Sequence, residues 1–349
     1  MHRRLLHIDV AKVLASHLIV LHHFTVYGPL ADALDLALPR VTDWFFEYAR
    51  MAVQVFLVIG GYFAASSLAA HGHAQLLVPW RSIARRFVRL ILPLGAALLL
   101  TMACSAVARA WVPAEFVPTA PSVGQLLAHA TLTYDVLGIE PLSVGIWYVA
   151  IDFQLFALMA TLLWVGGRWA QWLVAAFALA SLLYFNRHSE GDVWALYFFG
   201  SYAMGAFAWW AGHARQAGRL LLAMVSVGAL ALAWDFRERI ALALVVALWL
   251  GVARSRQAVA ASVPVHHPVL TRWMRRGGRG SYALFLIHFS VLLLANALWV
   301  RTGGATALQL ALVMSGSWVC CVVLASLFER YVERPLATLD LGKWSRRAG

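Results

Sequence analysis

Cysteine is scarce in this 349-residue chain: only Cys104, Cys320 and Cys321 are present. All three fall inside apolar runs, which excludes a disulfide framework and any zinc-type ligand spacing. Charge is scarce as well. Charged residues make up 13% of the chain and hydrophobic ones 62%, whereas soluble globular domains carry roughly 25% and 45–50%. Such an excess cannot be hidden in a water-soluble core, so lipid must be the solvent. Lysine is nearly missing, with only Lys12 and Lys343 beside many arginines. The short alternating segments of a membrane barrel are absent, and so are repeated halves. No polar stretch is long enough for a soluble domain; the longest non-spanning segments are about 111–143 and 254–280.

What remains is a series of long apolar runs, each able to cross the hydrocarbon core as a helix. Hydropathy places spans near 8–28, 46–68, 88–110, 144–166, 169–186, 192–211, 218–234, 239–253, 281–300 and 305–328. The expected fold is an all-α, polytopic membrane bundle of about ten transmembrane helices, forming one integral-membrane domain over 1–349. If the first span starts inside, 21 of the 28 basic residues fall on the cytoplasmic side. Asp32, Asp35, Asp43, Glu47, Glu115, Asp135, Glu140, Glu190, Asp192, Asp235 and Glu238 fall outside. That bias follows the positive-inside rule and sets both termini in the cytoplasm. The net charge of +12 is therefore topology, not a nucleic-acid footprint. The inner segment from Val263 to His267, followed by Arg272, Arg275 and Arg276, reads as interfacial, with basic residues facing lipid headgroups.

Ionisable residues inside a bilayer are costly and mark candidate sites. The first span carries Asp9, Lys12, His17, His22 and His23. Asp9 and Lys12 share a face and can form a structural salt bridge at the inner surface. The histidines diverge around the helix, so at most one or two can serve one site. An imidazole suits general-base work near neutral pH. Arg86 and Arg89 share a face at the inner end of the third span; they serve either as membrane anchors or as phosphate ligands. Trp147 opens the fourth span as an interface-belt residue, and Asp152 lies about one turn deeper, where it requires a histidine or arginine partner. His288 is a further buried histidine with a structural reading. No set of residues has metal-ligand spacing.

In order along the chain, these residues resemble the motifs of a bacterial acyltransferase family, acyltransferase family 3. Asp9, Lys12 and Ile19-Val20-Leu21-His22-His23 are similar to its opening motif, with His23 in the place of the essential histidine. Val53 to Tyr62, Arg86-Phe87-Val88-Arg89 with Pro93, Trp147 to Phe156, Ser281 to His288, and Glu333-Arg334-Pro335 resemble the later ones. Gly60 stands where the family usually has Ser, Asp152 where it often has Glu, and Phe156 where it often has Tyr.

The resemblance implies an acyl-CoA donor in the cytosol, acetyl-CoA foremost, and no metal. It implies a bacterial inner-membrane location and a carbohydrate, lipid-linked or small-molecule acceptor. Arg86 and Arg89 would hold the nucleotide phosphates, and His23 would deprotonate the acceptor with Asp152 fixing its tautomer. From residue 8 to His23 the helix rises roughly 22 Å, comparable to the reach of a pantetheine arm. A covalent acyl-histidine is the other route. The fused extracytoplasmic domain of some members is missing, so a separate extracytoplasmic acyl-transfer partner is compatible with the chain. A transporter or flippase explains the same buried charges, although repeated, broken halves are absent. A scaffold without chemistry is the third reading.

Overall fold

The computed structural model describes residues 6–74, 78–212, 217–257, 268–304 and 306–337. Every regular element among them is helical, and none is a strand. The interfacial stretch Val263 to His267 lies outside the described residues, as do Arg3, Arg4, Arg215, Lys343, Arg346 and Arg347.

The helices are α1 (Leu6–Phe24), α2 (Pro29–Ala37), α3 (Pro39–Glu47), α4 (Val53–Leu68), α5 (Trp80–Ala108), α6 (Val123–Ala130) and α7 (Trp147–Gly166). There follow α8 (Ala170–Leu183), α9 (Ala195–Ala211), α10 (Ala217–Trp234), α11 (Glu238–Gln257), α12 (Pro268–Arg301), α13 (Ala307–Phe328) and α14 (Arg334–Ala337). They fall into two compact units that interleave along the chain. One comprises 1–52, 88–147 and 269–349, the other 53–87 and 148–268.

In the first unit α12 is the buried helix. Leu286, Ile287, His288, Phe289, Leu292 and Leu293 are all inaccessible or nearly so. Its polar residues are spent on neighbours. Ser290 and Thr101 share a 3.0 Å hydrogen bond. Asn296 accepts from the Leu30 amide at 2.9 Å and donates to the Tyr27 carbonyl at 3.2 Å. That bond fastens the bend at which α1 gives way to α2, a 95° turn with Pro29 at the first helical position. By contrast α13 shows Leu308, Leu312, Val319, Val323 and Leu327 on its outside, as a lipid-facing helix does.

In the second unit every residue of α9 except Leu196 and Phe207 is buried. A helix that is apolar all round belongs at the centre, and α9 is packed by α4, α8, α10 and α11. The crossing with α4 is backbone on backbone. A methyl group at Gly61 would overlap the Tyr202 carbonyl oxygen, and one at Gly205 the Val58 carbonyl oxygen. Small residues allow such approach where no hydrophobic effect drives helices together in lipid. Trp209 and Trp210 then donate their indole N–H groups to the Ala70 and Ala69 carbonyls at 3.2 and 2.8 Å.

Six helical segments among the described residues are long and apolar enough to cross a membrane, or seven if α1 and α2 are one bent span. Three of the ten expected spans do not stand among the described residues as separate segments of this kind. The expected fourth and fifth spans are α7 and α8, two helices that follow each other within one apolar segment, Trp147–Arg187. The sixth, α9, is only 17 residues long, and α11 carries Arg254 and Arg256 in its last turn.

Gly205→Val should destabilise the protein by about 3 kcal/mol, the upper range for overpacking. Gly95→Ala, where an added methyl meets nothing, should change stability by less than about 1 kcal/mol. Denaturant unfolding in detergent reads both.

Candidate active site

The three histidines of α1 go three ways. His17 Nδ1 accepts from the Trp318 indole at 3.3 Å. His22 Nδ1 donates to the Phe45 carbonyl at 3.0 Å. His23 faces the interior, 8% exposed, with Nδ1 2.7 Å from Nε2 of His288. His288 is completely buried, and its own Nδ1 lies 2.6 Å from the Phe285 carbonyl oxygen one turn back. Tyr27 borders the His23 ring at 5.8 Å between centroids. Nε2 of His23 has no hydrogen-bond partner among the described residues.

The loop leading into α7 closes over this ring. Gly145, at φ +78°, runs so near that a Cβ there would stand 3.1 Å from His23 Cε1 and 3.2 Å from the Phe285 ring. Glycine is needed for both the dihedral and the space. Upstream, His129 fastens the same loop. Its Nε2 accepts the Leu142 amide at 3.1 Å and its Nδ1 donates to the Gln125 carbonyl at 2.7 Å. The ring lies against Tyr134, centroids 4.3 Å apart and nearly parallel. Burial pushes the His129 pKa down, so the neutral form that these two bonds require is kept.

At one end of the first unit, Asp9 packs against Gly278 of α12. Glu333 lies within electrostatic reach of Lys12 and Arg89, with Glu329 as a repulsive neighbour. Glu329 in turn meets Arg279 at 3.7 Å and Arg334 at 3.6 Å. Residues Glu329–Glu333 form a single π-helical turn, a distortion often found at functional positions.

The second unit holds Asp152. Both Arg86 Nε and Nη2 donate to its Oδ2, at 3.1 and 2.5 Å. The carboxylate side chain is 7% exposed and the arginine 29%. Arg86 also lies 5.5 Å from the centre of the Phe156 ring. A Cβ on Gly60 would stand 3.0 Å from the Tyr202 ring and 3.7 Å from Asp152 Oδ1. The Tyr202 hydroxyl is buried and has no hydrogen-bond partner among the described residues. Trp147, half-buried, opens α7. Asp152, expected to fix the tautomer of His23, engages Arg86 in its own unit, and Nδ1 of His23 engages His288. Arg86 is correspondingly less available to a phosphate, whereas Arg89, three residues on along α5, is exposed.

Sequence reasoning did not single out Tyr202, His129 or Gly145. Tyr202 sits in an aromatic-rich apolar run without local contrast, and the other two lie in a segment with no period to read. Among the described residues no group of three or more His, Cys, Asp or Glu could hold a metal ion.

The arrangement offers a buried imidazole with one free nitrogen and, separately, a buried carboxylate paired with a half-buried arginine. The profile of the family described as "Acyltransferase domain" matches residues 5–326. The chain belongs to acyltransferase family 3. It is an acyltransferase, and its apolar helices make it a membrane one. No curated protein and no solved structure matches it. Of the readings open to the sequence, transport and a scaffold without chemistry are not what this family points to.

In this acyltransferase the Arg86–Asp152 pair should behave as one unit. Arg86→Ala strands a buried carboxylate and should cost about 3–5 kcal/mol, whereas Asp152→Ala leaves a guanidinium that is 29% exposed and should cost less. The double variant should fall well short of the sum. Chemical denaturation of the four proteins closes the cycle; strict additivity would show that the two side chains do not interact.

Proposed function

We propose that this acyltransferase moves an acyl group, acetyl foremost, from cytosolic acyl-CoA to a hydroxyl of a cell-surface sugar, a glycolipid or a small molecule. On this reading it works in a bacterial inner membrane with about ten crossings and both termini inside, as the basic bias of the inner loops favours. The observation that carries the reading is His23: buried, held through Nδ1, and with Nε2 unengaged.

Nε2 takes the proton of the acceptor hydroxyl as its oxygen attacks the thioester carbonyl. The tetrahedral intermediate collapses, the carbon–sulfur bond breaks, and the coenzyme A thiolate leaves. The proton held on His23 goes to that thiolate, and the ring is restored. Direct transfer of this kind needs one free ring nitrogen, as does the route through an acyl-histidine.

Arg89, exposed at the inner end of α5, and Arg86 beside it supply positive charge to the nucleotide phosphates. Arg86 pays for that role by sharing its guanidinium with Asp152, whose carboxylate fixes the plane of the group. A separate extracytoplasmic carrier for the acyl group is compatible with this scheme.

The test is transfer from radiolabelled acetyl-CoA into the lipid and polysaccharide fractions of membranes. His23→Ala should lower the rate by about 10²-fold or more, the usual worth of a general base. His22→Ala, whose ring is turned to the Phe45 carbonyl, should stay within about tenfold of the parent. Transfer retained in the His23 variant would remove the histidine from the mechanism.

A further inference from the structure

We propose that His288 is a positioning residue for the transfer, dictating that the proton of neutral His23 sits on Nδ1 and leaving Nε2 bare to act as the base. The inference rests on the reading of His23 as the base, and goes beyond it by assigning the direction of a proton chain.

The chain starts at a backbone atom. The Phe285 carbonyl oxygen, 2.6 Å from His288 Nδ1, can only accept a hydrogen bond. His288 therefore carries a proton on Nδ1. A neutral imidazole has one such proton, so its Nε2 presents a lone pair. That lone pair is 2.7 Å from Nδ1 of His23, which must supply the hydrogen. Having spent its proton there, neutral His23 has an unprotonated Nε2.

The ring geometry agrees. The two imidazoles are only 10° from parallel, with centroids 4.8 Å apart. This separation exceeds the nitrogen–nitrogen distance by close to two ring radii, so the nitrogens point at one another edge to edge. That is the geometry of an N–H···N bond, not of a face-on stack.

The reverse arrangement, with a proton on His288 Nε2, would make His288 a cation. Its ring is completely buried, and its hydrogen-bond partners are His23 and a carbonyl, with no carboxylate among them. An unpaired buried charge is too costly to hold there. Turning the His23 ring over would exchange Nδ1 with a carbon and forfeit the bond to His288. His288 thus performs for His23 the orienting work that a carboxylate performs in a hydrolase triad, but as a neutral acceptor.

The full chain in lipid nanodiscs, labelled with nitrogen-15 histidine, decides the matter. Resonances of His23 are identified by their loss in His23→Gln. The expected spectrum shows His23 protonated at Nδ1 and bare at Nε2; the opposite tautomer overturns the proposal. This readout is independent of turnover, so it separates failure of the proton chain from failure of His23 as the base.

Kinetics give the second arm. His288→Leu should lower kcat on the order of 10²-fold with the KM for acetyl-CoA nearly unchanged. His288→Gln, whose amide oxygen can accept near the position of Nε2, should recover most of the rate, and the shorter His288→Asn should not. Equal rates in all three variants would overturn the assignment. Should the variants fail to fold, the tautomer in the parent protein still decides it.

Discussion

A polar atom inside a lipid-facing bundle has no water to fall back on, and the 2.7 Å contact between His23 and His288 answers that constraint in the first unit. It consumes one nitrogen of each ring and leaves a backbone carbonyl of α12 as the terminal acceptor. Other features of the unit take their places around it. The helix that carries His288 is buried on nearly all sides, Asn296 on the same helix ties down the bend after α1, and Gly145 brings a loop across the His23 ring. The free nitrogen that results is the feature an acyltransferase can use.

The second unit meets the same constraint with full charges. Asp152 sits where a bare carboxylate would be expensive, and Arg86 supplies two N–H groups to one of its oxygens. Such a pair contributes little net stability beside an apolar core of equal volume, yet losing either half is costly. It fixes the guanidinium next to Phe156 and places charge near the Tyr202 ring, beside the gap left by Gly60. Each unit thus holds one bonded pair of ionisable groups in its interior.

Much of this was legible in the residues, because lipid imposes a simple rule. Composition alone required helices, and the family follows from motifs spread from Asp9 to Glu333. That Asp152 needed a cationic or imidazole partner was legible from its depth. Which partner was not, because helical periodicity orders the faces of one helix and says nothing of which face of another meets it. His288 illustrates this limit: it was legible as a buried histidine, but it stands 265 residues from His23 and nothing in either helix pairs the two. The number of crossings was blurred for another reason. Hydropathy separates spans by polar breaks, and Gly166-Gly167-Arg168, which parts α7 from α8, is a very short one within Trp147–Arg187. Gly145 and His129 lie in a loop where neither period nor motif gives a signal.

The central claim is that His23 Nε2 is the atom that meets the acceptor. The most direct measurement is a structure of the protein with a non-transferable thioether analogue of acetyl-CoA and a bound acceptor. The account predicts the acceptor hydroxyl within about 2.6–3.2 Å of His23 Nε2 and within about 3–3.5 Å of the analogue's carbonyl carbon. A hydroxyl held by another side chain, with His23 Nε2 out of reach, would contradict it.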